Sequence, residues 1–171
     1  MLKDLVQISR LGDQKRGENE RLRRHLKTHE FVEKRLKRIA VAFEEEMDCT
    51  TCANCCRVAT TTLVPRDVDH LARFLRLSKD KFLQQYTEQS PEEGLILKRS
   101  DETGCVFLDG NTCTVYEARP GTCEDFPHLV KGNGSLQSRM WQMIDRASYC
   151  PIVYNTLEGW KQDLNFSPRS K

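Results

Sequence analysis

The feature that most constrains the fold of this chain is a run of cysteines at residues 48–57, which reads Asp-Cys-Thr-Thr-Cys-Ala-Asn-Cys-Cys-Arg. Half of the eight cysteines of the chain, Cys49, Cys52, Cys55 and Cys56, fall within this segment. A hydrophobic core does not need such a concentration of thiols. Two intervening residues allow consecutive thiolates to reach one metal, which is why C-x2-C recurs in zinc and iron–sulfur ligation. The run therefore predicts a metal site.

The composition predicts a soluble protein in a reducing compartment. The chain has 171 residues, of which 30% are charged and 38% hydrophobic, so we expect a modest core. No apolar run reaches the about 18 residues of a transmembrane helix, and the N-terminal residues lack the apolar region of a secretory signal. We therefore expect a cytoplasmic location without membrane association. Reducing cytosol favours metal ligation over disulfides for dense thiols.

The segment before the cysteines has a helical period. Apolar residues recur at three- and four-residue steps through residues 19–47 without a proline, which predicts one long amphipathic helix. Residues 1–47 carry twelve Lys/Arg and nine Asp/Glu, so its polar face is basic. Such a face suits an acidic protein partner or a nucleic acid. Because acidic residues alternate with the basic ones, we favour a solvated helix face, on which His25 and His29 are surface residues.

The remainder of the chain predicts short helices and antiparallel hairpins. Pro65 fits the first position of one helix and Ser78 the cap of another, and residues 58–64 are typical of a strand. The dipeptide Asp109-Gly110 predicts a tight turn, which would bring Cys105 and Cys113 together on neighbouring strands. The predicted fold class is α+β. We expect a helical segment at residues 1–47, a cysteine-cluster domain at 48–151, and a C-terminal helix and tail at 152–171.

The cysteine count predicts two metal sites or one binuclear site. Four is the ligand number of a closed zinc site and of a cubane cluster, and eight is twice that number. We expect the side chains of the adjacent Cys55 and Cys56 to diverge and to serve different metals. The candidate ligands are Cys49, Cys52, Cys55, Cys56, Cys105, Cys113, Cys123 and Cys150.

These motifs together resemble a known family. The pattern C-x2-C-x2-C-C is followed by Gly-Cys-Val-Phe-Leu-Asp-Gly-Asn-Thr-Cys-Thr-Val-Tyr-Glu-Ala-Arg-Pro-Gly-Thr-Cys-Glu-Asp-Phe-Pro and a late Cys-Pro. It is similar to the CxxCxxCC zinc- or iron-chelating domain family, also called the YkgJ-type cysteine cluster family. The likeness covers roughly residues 48–151 and implies a metal-binding protein. Tyr116, Arg119 and Phe126 match its pattern, whereas Glu124 stands where members often carry a basic residue.

The spacing leaves the metal open between an iron–sulfur cluster and zinc. Cys49, Cys52 and Cys55 with the remote Cys150-Pro151 are typical of the ferredoxin run that holds a [4Fe–4S] cluster, and the other four cysteines would form a second site. Zinc accepts C-x2-C equally well, so we favour iron–sulfur only slightly. Arg119 would either offset thiolate charge or bind carbonyls of its own loop, and His128 is a further candidate ligand.

The sequence contains no recognised catalytic constellation, since Walker, Rossmann and H-E-x-x-H motifs are missing. The prediction is therefore a metal-binding protein with metal ions, and a protein docked on the N-terminal helix, as its partners. The alternative is an iron–sulfur-dependent redox or transferase enzyme, and the weaker alternative is nucleic-acid binding through the basic helix.

Overall fold

A computed structural model describes residues 1–167 of the chain, and these divide into two compact units. The first unit combines Met1–Asp48 with residues 127–167, and the second is Cys49–Phe126. The helices, in chain order, are α1 Leu5–Gln14, α2 Arg16–Thr28, α3 Glu33–Glu46, α4 Cys49–Cys52, α5 Asn54–Val58, α6 Pro65–Phe74, α7 Lys79–Tyr86, α8 Gly121–Glu124, α9 Leu136–Arg146 and α10 Pro151–Asp163. The strands are β1 Thr87–Ser90, β2 Gly94–Leu97, β3 Arg99–Ser100, β4 Gly104–Cys105, β5 Leu108–Asp109 and β6 Thr112–Cys113. Helices with small antiparallel hairpins confirm the predicted α+β class.

The first unit is a helical assembly with an apolar centre. Helix α2 packs on α9, and α3 packs on α10. Trp160 of α10 is fully buried, and its indole N–H donates to the carbonyl oxygen of Leu36 at 2.8 Å. The leucines of residues 19–47 are Leu22, Leu26 and Leu36, and they are at most 1% exposed. This part of the apolar stripe is therefore covered by the chain's own helices, whereas Val32 is 65% exposed.

The single long helix predicted for residues 19–47 is wrong, because the segment forms α2 and α3 with a break at residues 29–32. The reason lies in the phase of the apolar stripe. Leu36 follows Leu26 by ten residues, which on a continuous helix would turn it about 80° away from Leu26. Breaking the helix lets Leu26 pack within the α2 and α9 pair while Leu36 packs against α10. The N-terminal region is helical, as predicted, but in three pieces.

Ion pairs take up part of the positive charge of these N-terminal helices. Arg35 pairs with Asp163 at 2.7 Å and Lys37 with Glu33 at 2.8 Å. Lys161 is 7% exposed and bridges Glu18 and Glu158, each at 2.6 Å. The basic face is thus partly offset by carboxylates of the same unit. Within residues 1–167, no helix has both the length and the apolar character needed to cross a membrane.

The second unit contains short elements around a small core. Helices α6 and α7 are confirmed, and the Ser78 hydroxyl accepts from the backbone N–H of Lys81 at the start of α7. Strands β1 and β2 pair antiparallel, and Thr62 forms one bridge to Ile96 of β2. The predicted strand at 58–64 is thus reduced to that bridge. The core gathers Leu63, Val68, Leu71, Ala72, Phe82, Leu97, Phe107, Val115 and Ala118.

The predicted hairpin of Cys105 and Cys113 is shorter than expected. Strand β5 pairs with β6 around Gly110, whose φ of 59° supplies the left-handed turn, as Asp109-Gly110 predicts. Cys105, however, lies on β4 and pairs with Arg99 of β3. The turn at Asp109-Gly110 is correct, but a different ribbon positions Cys105.

The C-terminal part is more helical than predicted. Residues 136–140 belong to α9, which starts at the Ser135 cap. Helix α10 begins at Pro151 and includes Thr156, which is fully buried. Proline at the first helical position is favourable because its missing N–H is not needed there. Of the predicted tail, residues 168–171 lie outside the described part of the chain.

Candidate metal centre

The cysteine run folds into two short helices separated by one left-handed residue. Helix α4 begins at Cys49 and ends at Cys52, and Ala53 follows with φ 48°. The backbone N–H of Ala53 donates to the Cys49 carbonyl oxygen at 2.9 Å, closing the first turn. Helix α5 then carries Cys55 and Cys56. The spacing of the run thus becomes two consecutive turns that each present a pair of thiols.

Arg57 ties this run to the β5–β6 hairpin. Its Nη1 donates to the Cys52 carbonyl oxygen at 3.0 Å, and its Nη2 to the Gly110 carbonyl oxygen at 2.8 Å. Asn111 accepts a further hydrogen bond from Arg57 and donates its own Nδ2 to the Thr51 carbonyl oxygen at 2.8 Å. These bonds place the hairpin that carries Cys113 beside α4. No motif or spacing in the sequence predicted these roles of Arg57 and Asn111.

A glycine allows Cys105 to approach Cys56. Gly104 has φ +78°, and a Cβ at this position would lie 2.6 Å from the Arg57 Cα and 2.7 Å from the Cys56 carbonyl oxygen. Both are backbone atoms, which cannot move aside as a flexible side chain can. Only glycine therefore lets β4 contact α5 this closely, and the next residue along β4 is Cys105.

Cys123 lies on α8, and the first residue of α8 is hydrogen-bonded to α6. The backbone N–H of Gly121 donates to Asp67 Oδ1 at 3.2 Å, and the same carboxylate accepts from the Val64 N–H at 3.0 Å. The hydroxyl of Thr61 lies 3.7 Å from the Cys123 sulfur, within hydrogen-bonding range for sulfur. These contacts fix the position of α8 relative to α6 and to Thr61, which precedes α6.

Cys56, Cys105, Cys113 and Cys123, hereafter the four-thiol set, come from four different elements. Each pair of thiols in the set interacts electrostatically. Burial, with the charges of the other three acting in the same direction, raises the pKa of Cys123 from 9.0 to about 12. Burial likewise raises the pKa of Cys105 and of Cys113. Neutral thiols are thus favoured until a positive charge offsets the loss of hydration.

Cys56 differs from the other three. A hydrogen bond with Cys55 lowers the pKa of Cys56 from 9.0 to about 7, and the positive charges of Arg57 and Arg119 act in the same direction against burial. Cys56 is therefore the member that ionises most easily. The contact with Cys55 also corrects an expectation, because adjacent side chains expected to diverge hydrogen-bond to each other.

Backbone N–H groups support two of these sulfurs. The N–H of Phe107 hydrogen-bonds to Cys105 and that of Val115 to Cys113, and each lowers the pKa of its thiol against the effect of burial. In both cases the donor lies two residues after the cysteine. Such donors stabilise a thiolate and orient it as a ligand.

The remaining cysteines have different surroundings. Cys49 is exposed, Cys52 and Cys55 are half-buried, and Cys150 is buried. Cys150 belongs to the first unit, where it is the cap residue of α10. None of the eight cysteines forms a disulfide. As candidate ligands, these four rest on the sequence pattern.

Within residues 1–167, no three Cys, His, Asp or Glu side chains are arranged so that they could hold a metal ion. The four thiols are nevertheless close enough for their charges to interact. The donor set itself fits a thiophilic metal such as zinc or iron. Binding would draw these sulfurs together.

The histidines lie in other surroundings. The rings of His25 and His29 stack with centroids 3.9 Å apart, and burial together with His29 lowers the pKa of His25. His128 has φ 66°, and its carbonyl oxygen accepts from Arg139 Nε at 2.9 Å. The structure thus gives His128 a role in its own loop through the main chain.

Comparison with known proteins assigns the family. A family model described as "CxxCxxCC: Putative zinc- or iron-chelating domain" matches residues 48–151, more than half of the chain. The chain belongs to the CxxCxxCC family. No solved structure matches it. The resemblance noted from the motifs is confirmed, and the CxxCxxCC domain begins directly before α4 and ends directly after Cys150. The chain is accordingly a cysteine-rich protein with a zinc- or iron-chelating domain.

Proposed function

We propose that this protein holds its metal through cysteine thiolates, and that the four-thiol set forms one complete site. The observation that carries the proposal is the convergence of Cys56, Cys105, Cys113 and Cys123 from α5, β4, β6 and α8, in which each pair of thiols interacts electrostatically. Four cysteines complete a closed zinc site or a cubane cluster. For Cys49, Cys52, Cys55 and Cys150 the proposal rests on sequence spacing alone.

The charges around the set support this proposal. Four cysteinates on a dication leave a net charge of about −2. Arg57 and Arg119 act on Cys56, Arg119 also acts on Cys113, and Arg99 acts on Cys105. Positive groups beside partly buried thiols favour the ionised form that a metal requires. Cysteines with only a packing role have no need of these arginines.

We propose an iron–sulfur cluster as the bound group, with zinc as the alternative. The three cysteines of the run and the Cys150-Pro151 pair follow the ferredoxin spacing. A cluster would supply one-electron chemistry, whereas zinc would stabilise the fold. The chain's own residues act in the same way in both cases, since they orient sulfurs, exclude water from Cys123 and offset charge.

The deciding experiment is the metal and acid-labile sulfide content, with a visible spectrum, of protein purified without oxygen. Iron with sulfide and a broad visible absorption is expected. Zinc in stoichiometric amount, without visible colour, would favour the zinc alternative over the cluster. The proposed thiolate site would remain valid. Protein that contains no metal, and that takes up neither zinc nor iron with sulfide after reduction, would contradict the proposal.

Serine variants test which cysteines are involved. Cys105→Ser and Cys123→Ser should each remove the metal of the four-thiol set and leave any metal held by the other cysteines, so that the metal content falls by about half if two sites exist. Thr61→Val is a matched control, because it alters the neighbour of Cys123 without removing a sulfur. Full metal content in both serine variants would exclude the four-thiol set as a site.

An electron-transfer or redox enzyme is the second candidate, and the exposure of Cys49 favours it. A cluster with one ligand at the surface is accessible to a redox partner or a substrate. Bleaching of the visible absorption by dithionite, with recovery in air, would support this candidate. A spectrum that dithionite leaves unchanged would contradict it.

A further inference from the structure

Arg99 lies directly beside one of the proposed ligands. In the β3–β4 ribbon Arg99 and Cys105 are direct partners. Directly opposed residues of an antiparallel pair have their side chains on the same face, with Cβ atoms about 5 Å apart. The positive charge of Arg99 acts on the Cys105 thiol. The pairing register therefore brings a guanidinium and a sulfur together.

The guanidinium of Arg99 also reaches the helix that carries Cys56. Its Nη2 donates to the Arg57 carbonyl oxygen at 3.0 Å, and Arg57 directly follows Cys56. The carboxylate of Asp101 lies 3.9 Å away and is fully exposed, so this pair is weak. Arg99 thus connects the strand of Cys105 with the helix of Cys56.

One N–H donor of the Arg99 side chain has no acceptor among the described residues. Arg99 Nε is buried and has no hydrogen-bond partner among the described residues. Buried N–H groups without an acceptor are rare and costly. The nearby group that would supply an acceptor is a thiol, which becomes a strong acceptor once it is ionised.

Arg119, on a different segment, also combines a buried Nε–H with a charge that acts on thiols of the set. Its guanidinium lies over the ring of Tyr116, 4.1 Å from the centroid, and its charge acts on Cys56 and Cys113. Arg119 Nε is likewise buried and, within residues 1–167, has no hydrogen-bond partner. Two arginines from separate segments thus present the same unsatisfied donor near different thiols of the four-thiol set.

We propose that Arg99 and Arg119 are positioning residues of the four-thiol set, whose Nε–H groups donate to thiolate sulfurs when the set binds a metal. This inference rests on the proposed function and deepens it, because it assigns the residues that make four partly buried thiolates tolerable. The protons displaced by the metal leave to solvent, and the two guanidiniums offset the charge that remains. Hydrogen bonds to the sulfurs also fix their orientation.

The test compares Arg99→Lys, Arg119→Lys and Arg99→Gln with the matched control Arg66→Lys, an exposed position on α6. Lysine keeps the charge but lacks the Nε–H in its fixed place, and glutamine removes the charge. Zinc affinity is measured on the full chain by competition with a chelator, and cobalt(II) serves as the spectroscopic probe. Loss of an outer partner typically costs about 10–100-fold in metal affinity.

The expected result is weaker zinc binding in Arg99→Lys and Arg119→Lys, a larger loss in Arg99→Gln and no change in Arg66→Lys. The sulfur-to-cobalt absorption should shift in energy in the Arg99 and Arg119 variants, and the pH at which zinc is released on acidification should rise. A purely structural role would leave the absorption and the release pH of the loaded protein unchanged, and that result would overturn the inference. Failure of the unaltered chain to bind zinc, cobalt or iron would instead remove the proposed function itself.

Discussion

The two units are stabilised in different ways. The unit of Met1–Asp48 and residues 127–167 has helices of 10 to 14 residues, whereas the strands that carry Cys105 and Cys113 are two residues long. Of the twelve largest fully buried side chains described in residues 1–167, only Phe82 and Leu71 belong to Cys49–Phe126. The first unit is therefore stabilised by apolar burial, while the cysteine-bearing parts of the second depend on arginine-to-carbonyl bonds and on the metal that we propose.

The largest expected difference between the two units is their response to metal removal. A structural zinc contributes about 10–16 kcal/mol in small zinc-binding peptides, so a chelated sample should lose protection where the apolar core is thin. We expect rapid amide hydrogen exchange in residues 49–58 and 104–126 and slow exchange in α3 and α10. Helices α6 and α7 serve as the internal control, since they contribute Val68, Leu71, Ala72 and Phe82 to the apolar core of this unit. Equal protection throughout the metal-free chain would contradict this comparison.

Truncation of a core tryptophan should affect the first unit next most. Trp160→Ala removes a fully buried ring and its hydrogen bond to Leu36, and should lower the free energy of unfolding by about 3–5 kcal/mol. The matched control is Trp141→Ala, because Trp141 is 54% exposed and should cost less than about 0.5 kcal/mol. Urea unfolding followed by circular dichroism gives both values. Similar losses at the two positions would show that burial does not stabilise this unit.

A methyl group at Gly104 tests the close contact in the second unit. Gly104→Ala places a Cβ 2.6 Å from the Arg57 Cα and should cost about 2–4 kcal/mol from backbone strain and overpacking. Gly94→Ala is the control, because Gly94 has nearly the same φ, +76°, with nothing within 4 Å, and should cost about 1–2 kcal/mol. Thermal unfolding of the metal-loaded protein measures both. Equal costs would mean that β4 does not need to approach α5.

The smallest expected effect concerns the charge network of the first unit. Burial opposes the ionisation of Glu158, but hydrogen bonds from Lys15 and Lys161 overcome it and hold the pKa of this carboxyl below 4.5. The stabilisation is therefore complete above pH 4.5 and is lost as the pH falls through the lower folded value. Glu158→Gln should cost about 1–2 kcal/mol at neutral pH.

The measurement is the pH dependence of urea unfolding, with the exposed Glu20→Gln as the control. The difference between Glu158→Gln and the unaltered protein should disappear in acid. A difference that persists unchanged below pH 3 would show that packing, and not the carboxylate charge, accounts for it.

Local patterns predicted a large part of this structure. The starts of α6 at Pro65 and α7 at Ser78, and the turn at Gly110, follow from residues that act on their immediate neighbours. The cysteine run and the ordered motifs after it were sufficient to predict the family that the comparison confirms. The sequence also contains the signal for the break between α2 and α3, namely the change of phase in the apolar stripe between Leu26 and Leu36. Three- and four-residue steps alone do not reveal this change.

The surroundings of the cysteines required the tertiary structure. The bonds from Arg99 to Arg57, from Arg57 to Gly110 and from Asn111 to Thr51 join residues 42, 53 and 60 positions apart. No period or spacing specifies such pairs, because they depend on how separately formed turns and ribbons pack. The sequence by itself predicted thiols as the donors of the metal that we propose and indicated which local turns carry them. Packing decided which thiols interact electrostatically, since only the folded chain brings α5, β4, β6 and α8 together.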